Sequence, residues 1–481
     1  MKKNVLFYLF FVLILAKIYY SFFVFPNPDE AYYWLWGQFP ALSYHDHPAL
    51  QALIQNIFSC IFGTSIISLR SPVLISNIVI VYVLSLIFKK LAFSNHYLYV
   101  VLFFSSPLFF LFTTFAWNDY LLLSNCILSG FFFLNYFHDI WLGLKGKFKD
   151  VLFACLFFGL AILSKYNAVF LGLGILSMIV SNKKFHKIFK DYKFYIGVLI
   201  IFLLSLPILV WNSNNSFGSF EFNLKQRTIE PLLNNNLFKG NYLGFIFGSV
   251  LILSPFIWWG IFCVFKKTNA LKSKTNAYTE VYLKFSKHIF FISTASFLFL
   301  SLFSNVLYYW NIIGLLFITP LALYFIIKNN KINYLLVYSS VLITGMLIHF
   351  GIIPLTLIFG GNDKDGVYHY GWETVKKHVL KYRQIENKPI VTSSYRSASL
   401  LAFALNEPEI FAYSPRFDQF DYWAKNYKYK SKDALILTDD RSPINKELIL
   451  LFKDIKILDT IVITKYNYTV KTYYLHKGYF K

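Results

Sequence analysis

Negative charge is scarce in this chain. Asp and Glu number 24 in 481 residues against 46 Lys and Arg, and charged residues of both signs make up only 15%. Soluble chains average about 25% charged, so an ordinary soluble globular protein is excluded. Cysteine is nearly absent too. Cys60, Cys126, Cys155 and Cys263 are scattered, three of them in apolar stretches, which leaves no disulfide framework and no thiolate metal spacing. There is no Walker-type glycine loop and no dinucleotide fingerprint, so nothing points to ATP as a driving force. No internal repeat is strong enough to indicate an array or a two-fold transporter. The first apolar run, from Val5 on, lacks a small-residue cleavage site before the next polar stretch and reads as a retained span.

What is present in quantity is apolar and aromatic. Hydrophobic residues make up 57% and aromatics 21%, with 55 Phe and 35 Tyr. Together these indicate a polytopic α-helical membrane protein. The net charge of +22 would suit nucleic acid binding, but its distribution argues for a membrane. Apolar runs near 5–25, 71–88, 97–116, 120–138, 151–163, 166–181, 193–211, 242–265, 288–304, 310–327 and 332–352 predict about 11 (11–13) transmembrane helices. With the amino terminus cytoplasmic, alternate links carry twenty lysines. The opposite links before residue 355 hold only Arg70, Lys165, Lys225, Arg227 and Lys239. That asymmetry orients the chain, with the carboxyl terminus outside.

Composition changes near Gly360. A helix over 372–384, β-type runs at 389–393, 434–438, 455–464 and 468–475, and helices at 396–405 and 443–452 predict a small α/β domain. The expected division is 1–358 for the membrane part, with a first outside loop at 26–70, and 359–481 for the outside domain.

With acids so few, their placement is informative. Asp29 and Glu30 follow the first apolar run directly, beside Tyr32, Tyr33, Trp34 and Trp36; His45, Asp46 and His47 come shortly after. Carboxylates next to a span need water, a partner charge or a ligand. Under the predicted topology the same face receives Asp119, Lys165, Tyr166, Trp211, Arg227 and Asn311. The bland readings are that Asp119 caps a helix, Lys165 snorkels, and the residues near Trp310 mark the interface. The chemical reading is transfer from a lipid-linked phosphate. A carboxylate takes the acceptor proton, and lysine, arginine or histidine neutralises the phosphate. No metal is assigned; a divalent cation on the acids and histidines stays open, since their loop spacing is weak metal-site evidence.

The residues that carry a resemblance are PDEAYYWLW from Pro28, SYHDHPAL from Ser43, FTTFAWNDY ending at Tyr120, LSKYNAVFLG from Leu163, PILVWNSNNSFGSFEF from Pro207, GWE from Gly371 and SPRFDQFDYW from Ser414. The chain resembles bacterial GT-C membrane glycosyltransferases of the dolichyl-phosphate-mannose–protein mannosyltransferase superfamily. Within them it is similar to the branch of aminoarabinose transferases that modify lipid A. The resemblance implies an undecaprenyl-phosphate-linked sugar donor, inversion at the anomeric carbon, and lipid A or a related envelope glycolipid as acceptor. It implies a catalytic role for Asp29, with Glu30 beside it, a second acid at Asp119, and Lys165 near the donor phosphate. Tyr33, His45, Asp46, His47, Tyr166, Trp211, Arg227 and Asn311 complete the expected substrate-binding set. The chain departs from the branch at Asp46-His47, where Glu-Lys-Pro-Pro is usual, and a histidine is a pH-dependent cation. Alternative readings are the same donor chemistry with a protein or polysaccharide acceptor, or a lipid-linked-sugar flippase or transporter.

Overall fold

The structure, a computed structural model, describes residues 3–234, 237–268, 276–361, 363, 365–385, 388–424 and 432–481. Lys2, Lys272 and Lys274 of the basic links lie outside the described residues. The chain divides into two compact units: 1–17, 47–50 and 73–343 form one, and 18–46, 51–72 and 344–481 the other.

The first unit is helical. Its long Asn118–Trp141 helix packs along Phe148–Ser164 and Ala277–Ser301. Small residues permit close crossings: a Cβ on Gly174 would lie 2.6 Å from the Ile289 Cα, and one on Gly260 would lie 2.7 Å from the Ala322 carbonyl oxygen.

Among the described residues five helices are long and apolar enough to cross a bilayer alone: Ile66–Lys90, Asn118–Trp141, Tyr192–Asn214, Ala277–Ser301 and Ile332–Gly351. Three bent pairs raise the number to eight at most. This is a multi-pass membrane protein, and its described residues supply five to eight candidate spans where its apolar runs predict eleven. The shortfall has local causes. The 97–116 run breaks into His96–Phe104 and Pro107–Phe112. Pro107 brings no N–H to the helix, and Ser105 Oγ turns back to the Val101 carbonyl at 2.8 Å. The Ile312–Lys328 helix has 17 residues, about 26 Å at 1.5 Å per residue, short of a hydrocarbon core about 30 Å thick. In the 242–265 run, Ser254 takes φ 107 and bends the chain by 99°.

The second unit contains a five-stranded mixed sheet of order β2-β1-β3-β5-β4, with β1 at Ile390–Thr392, β2 at Phe411–Ala412, β3 at Ala434–Asp439, β4 at Phe452–Lys465 and β5 at Tyr468–Phe480. β1 pairs in parallel with β2 and β3, while β5 runs antiparallel to β3 and β4. The β4–β5 hairpin turns through Tyr466 and Asn467, both at positive φ, as a two-residue hairpin loop requires. Val391, Ala434, Ile436, Leu448 and Phe452 form a core cluster. The crossover from β1 to β2 is the Tyr395–Leu405 helix, capped by Ser394 Oγ, which accepts the Arg396 N–H at 3.2 Å. That helix packs against the Pro28–Gln38 helix of the same unit.

One buried ion pair anchors this sheet. Lys471 Nζ donates to Asp439 Oδ1 at 2.9 Å with both side chains fully buried. Asp439 also accepts from Ser397 Oγ at 2.9 Å and from the Arg441 and Ser442 N–H groups. Removing one member of such a pair leaves an uncompensated buried charge, at a cost of about 3–5 kcal/mol. Lys471 Nζ also donates to Asp440 Oδ1 at 3.0 Å. Asp439→Ala is expected to lower the thermal unfolding midpoint of the purified protein by several degrees; an unchanged midpoint would show that Asp440 alone suffices for Lys471.

Candidate active site

The Pro28–Gln38 helix begins with a capping box. Asn27 Oδ1 accepts the Glu30 N–H at 3.0 Å, and Glu30 Oε2 accepts the Asn27 N–H at 3.1 Å; Pro28 supplies a favoured first residue. Arg70, fully buried, then closes on Glu30 through two bonds, Nε to Oε1 at 2.8 Å and Nη2 to Oε2 at 2.6 Å. Its remaining nitrogen, Nη1, donates to the Val24 carbonyl at 2.6 Å and to that of Tyr20. One guanidinium therefore joins the end of one helix to the start of the next. Glu30 is occupied in holding the backbone.

Asp29, one residue earlier, is half-buried, and among the described residues its carboxylate accepts no hydrogen bond. The charges that act on it are those of Asp365, Arg396, Asp46 and Arg416. Asp46 is buried; it accepts from Tyr32 Oη at 3.2 Å and pairs with Arg416. Tyr32 Oη accepts the Gln419 N–H at 2.9 Å, while Gln419 Oε1 accepts the His45 N–H at 2.9 Å. The Tyr395 ring lies 5.0 Å from that of Tyr32, with the Arg396 and Arg416 guanidiniums 5.1 and 5.5 Å from its own centroid. Asp365 Oδ1 stands 3.3 Å from Arg396 Nε. Burial opposes the Arg416 charge, but Asp46, Tyr395 and Tyr32 outweigh it and raise the guanidinium above its ordinary range. Tyr33 is buried with its ring 4.9 Å from Trp36.

In the other unit, Lys165 ends the Phe148–Ser164 helix in an extended conformation and sends Nζ to both oxygens of Asp119 at 2.9 Å. Both side chains are nearly buried, and Nζ lies 5.1 Å from the Tyr309 ring centroid. Asp119 sits in the first turn of its helix without capping it, and Lys165 has a partner rather than snorkelling. Tyr166 Oη meets Ser219 Oγ at 2.7 Å. Arg227 stacks on Phe222 at 4.1 Å and lies 5.8 Å from Trp310. Asn311 bonds Ser293 and Thr294, as a structural amide would. Trp211 is buried and His47 half-buried.

The structure thus brings Asp29, Asp46 and His45 into one neighbourhood, and Asp119 and Lys165 into another. Sequence reasoning missed Arg70 as the partner of Glu30. It also missed Tyr395 and Arg396, and it left Arg416 unassigned inside the SPRFDQFDYW stretch. A signal for Arg396 was available: a serine cap after a short apolar strand starts a helix at the carboxyl end of a parallel strand, where α/β folds gather ligand-binding groups.

The model of the dolichyl-phosphate-mannose-protein mannosyltransferase family matches residues 46–211, a stretch that includes Asp46, Asp119 and Lys165 but not Asp29. No curated protein sequence matches at a significant level. The crystal structure of ArnT from Cupriavidus metallidurans bound to undecaprenyl phosphate superposes with a TM-score of 0.61, covering 99% of this chain and 98% of that one at 11% identity. Its apo form gives 0.61 over 98% of each chain at 12% identity. The chain has the GT-C glycosyltransferase fold. The GT-C resemblance drawn from its loop motifs holds at that level, and it extends over the C-terminal sheet as well as the helices. Among the described residues no three His, Cys, Asp or Glu side chains come together to hold a metal ion.

Two groups in the sheet-bearing unit titrate in opposite senses. Burial, opposed by the Phe420 N–H, pushes Asp418 up to about 7. Burial, opposed by the Phe25 carbonyl, brings His369 down to about 4. Asp418 ionises near 3.8 once unfolded, so its contribution is full below about pH 4 and is lost as pH rises towards 7. His369 takes its proton near 6.5 once unfolded, so its contribution is present above about pH 6.5 and is lost as pH falls towards 4. The two offset each other between these limits. Asp418→Asn removes the contribution that opposes the histidine, and the unfolding midpoint is expected to rise more steeply from about pH 4.5 to 6.5 than in the wild type. Parallel curves would show that Asp418 is ionised in the folded chain.

Proposed function

We propose that this protein is an inverting glycosyltransferase that moves a sugar from undecaprenyl phosphate to lipid A or a related envelope glycolipid. The observation that carries the reading is the contrast between Glu30 and Asp29: the first is locked by a bidentate guanidinium, while the second accepts no hydrogen bond among the described residues. A half-buried carboxylate held on a rigid helix turn suits a general base. In the proposed step Asp29 takes the proton of the acceptor hydroxyl, and the oxygen attacks the anomeric carbon from the face opposite the phosphate. The anomeric C–O bond to phosphate breaks with inversion, and undecaprenyl phosphate leaves with the electron pair. Glu30 then serves as a positioning residue. Lys165, oriented by Asp119, meets the charge on the departing phosphate. Asp46 with Arg416, and His45, Tyr33, His47, Tyr166, Trp211, Arg227 and Asn311, form or support the substrate surfaces.

The GT-C fold shared with ArnT supports this reading, and the undecaprenyl phosphate in one ArnT structure motivates the donor. The family match supports a polyprenyl-phosphate sugar chemistry. The reading places the protein in the bacterial inner membrane, with the amino terminus cytoplasmic and residues 359–481 periplasmic, following the lysine asymmetry.

Asp29→Asn is expected to reduce transfer at least about a hundredfold while undecaprenyl phosphate binding persists. Mass spectrometry of envelope lipids and glycans, from cells carrying the wild type, the variant or neither, makes the check. A sugar mass present only with the wild type is the expected result. Full modification by the variant would move the base to Asp46 or Asp119. An unchanged lipid A beside an altered protein or polysaccharide would move the acceptor.

A further inference from the structure

Lys17 has no part in the chemistry above, yet it is buried in an apolar helix, where an ammonium is costly unless something specific receives it. Its Nζ meets four oxygens: the carbonyls of Phe110 at 3.1 Å and Thr113 at 2.8 Å, and the hydroxyls of Thr113 at 2.7 Å and Thr114 at 3.0 Å. All four are uncharged. They lie at the carboxyl end of the short Pro107–Phe112 helix, where carbonyls lack helical partners and carry the negative end of the helix dipole. Asn77 Nδ2 adds a second donor to the Thr113 carbonyl, at 2.8 Å.

The clamped segment leads straight to the ion pair. Phe112 packs against Trp117 at 5.2 Å and Tyr309 at 4.5 Å between ring centroids. Trp117 precedes the helix that carries Asp119, and Tyr309 is the ring beside Lys165 Nζ. We infer that Lys17, with Asn77, is a positioning residue that sets the turn from Pro107–Phe112 into Asn118–Trp141 and thereby the geometry of Asp119–Lys165. A purely packing role would be filled by methionine, which matches the stem of lysine but donates nothing.

The inference rests on the proposed donor role of Lys165 for one of its two readouts. Full-length protein in nanodiscs is compared as wild type, Lys17→Met, Lys17→Arg, Asp119→Asn and the Lys17→Met/Asp119→Asn double variant. In thermal unfolding the two single losses are expected to be non-additive, because both act on one element. With undecaprenyl phosphate as the probe, Lys17→Met is expected to weaken binding about tenfold, and Lys17→Arg, which keeps donors, to recover most of it. Additive midpoints, or binding in Lys17→Met equal to the wild type, would overturn the inference. If the wild type does not bind undecaprenyl phosphate, the donor reading fails and the unfolding cycle alone decides the clamp. Should Lys17→Met not fold, Thr114→Val removes one acceptor and enters the same cycle.

Discussion

The sheet-bearing unit depends on the grip of Arg70. A buried ion pair is often no more stabilising than apolar residues of the same volume, so charge attraction alone does not explain why this one is present. What an apolar pair could not do is satisfy the carbonyls of Tyr20 and Val24 and, through Glu30, the buried Asn27 N–H at the next helix start. The guanidinium has five donors in a fixed fork, and this turn uses them to set the direction in which the Pro28–Gln38 helix departs. Successive helical residues point about 100° apart, so fixing Glu30 inward also fixes where Asp29 projects. The candidate base inherits its orientation from a neighbour that does no chemistry.

The elements of the C-terminal unit were largely legible in the sequence. Helix 372–384 is found as Trp372–Ile385, and the runs at 434–438 and 468–475 lie within Ala434–Asp439 and Tyr468–Phe480. There the signals are local: alternation, turn residues and side-chain caps. The spans were less legible, because composition registers apolarity and is nearly blind to a break. Ser254 at positive φ and the Ser-Ser-Pro at 105–107 leave the hydropathy of their runs almost unchanged while ending the helices.

Site residues divide along the same line. Asp29 stood out because acids are rare and this one follows an apolar run. Arg70 was visible only as a topology charge, since its bond to Glu30 spans 40 residues. The contact of Arg416 with Asp46 spans 370, a separation at which a single sequence carries no pairing information. The departure at Asp46-His47 was legible as a difference from the branch, but its structural counterpart was not: in this chain Asp46 is engaged by an arginine and a tyrosine.

Among the buried charges two kinds of partner stand out. Glu30, Asp119 and Asp439 each face a cation at 2.9 Å or less, which occupies their oxygens. Lys17 is stabilised by helix-end carbonyls and hydroxyls, which a chain with nearly twice as many bases as acids has in greater supply than carboxylates. Asp29 belongs to neither group. Among the described residues its neighbours supply charges of both signs but no hydrogen bond, so the carboxylate is held in place by its helix. A group fixed through its backbone, with its oxygens unspent, can accept a proton from an incoming hydroxyl without first breaking a bond to the protein. Glu30, Asp119 and Asp439 would each have to give up a cation first.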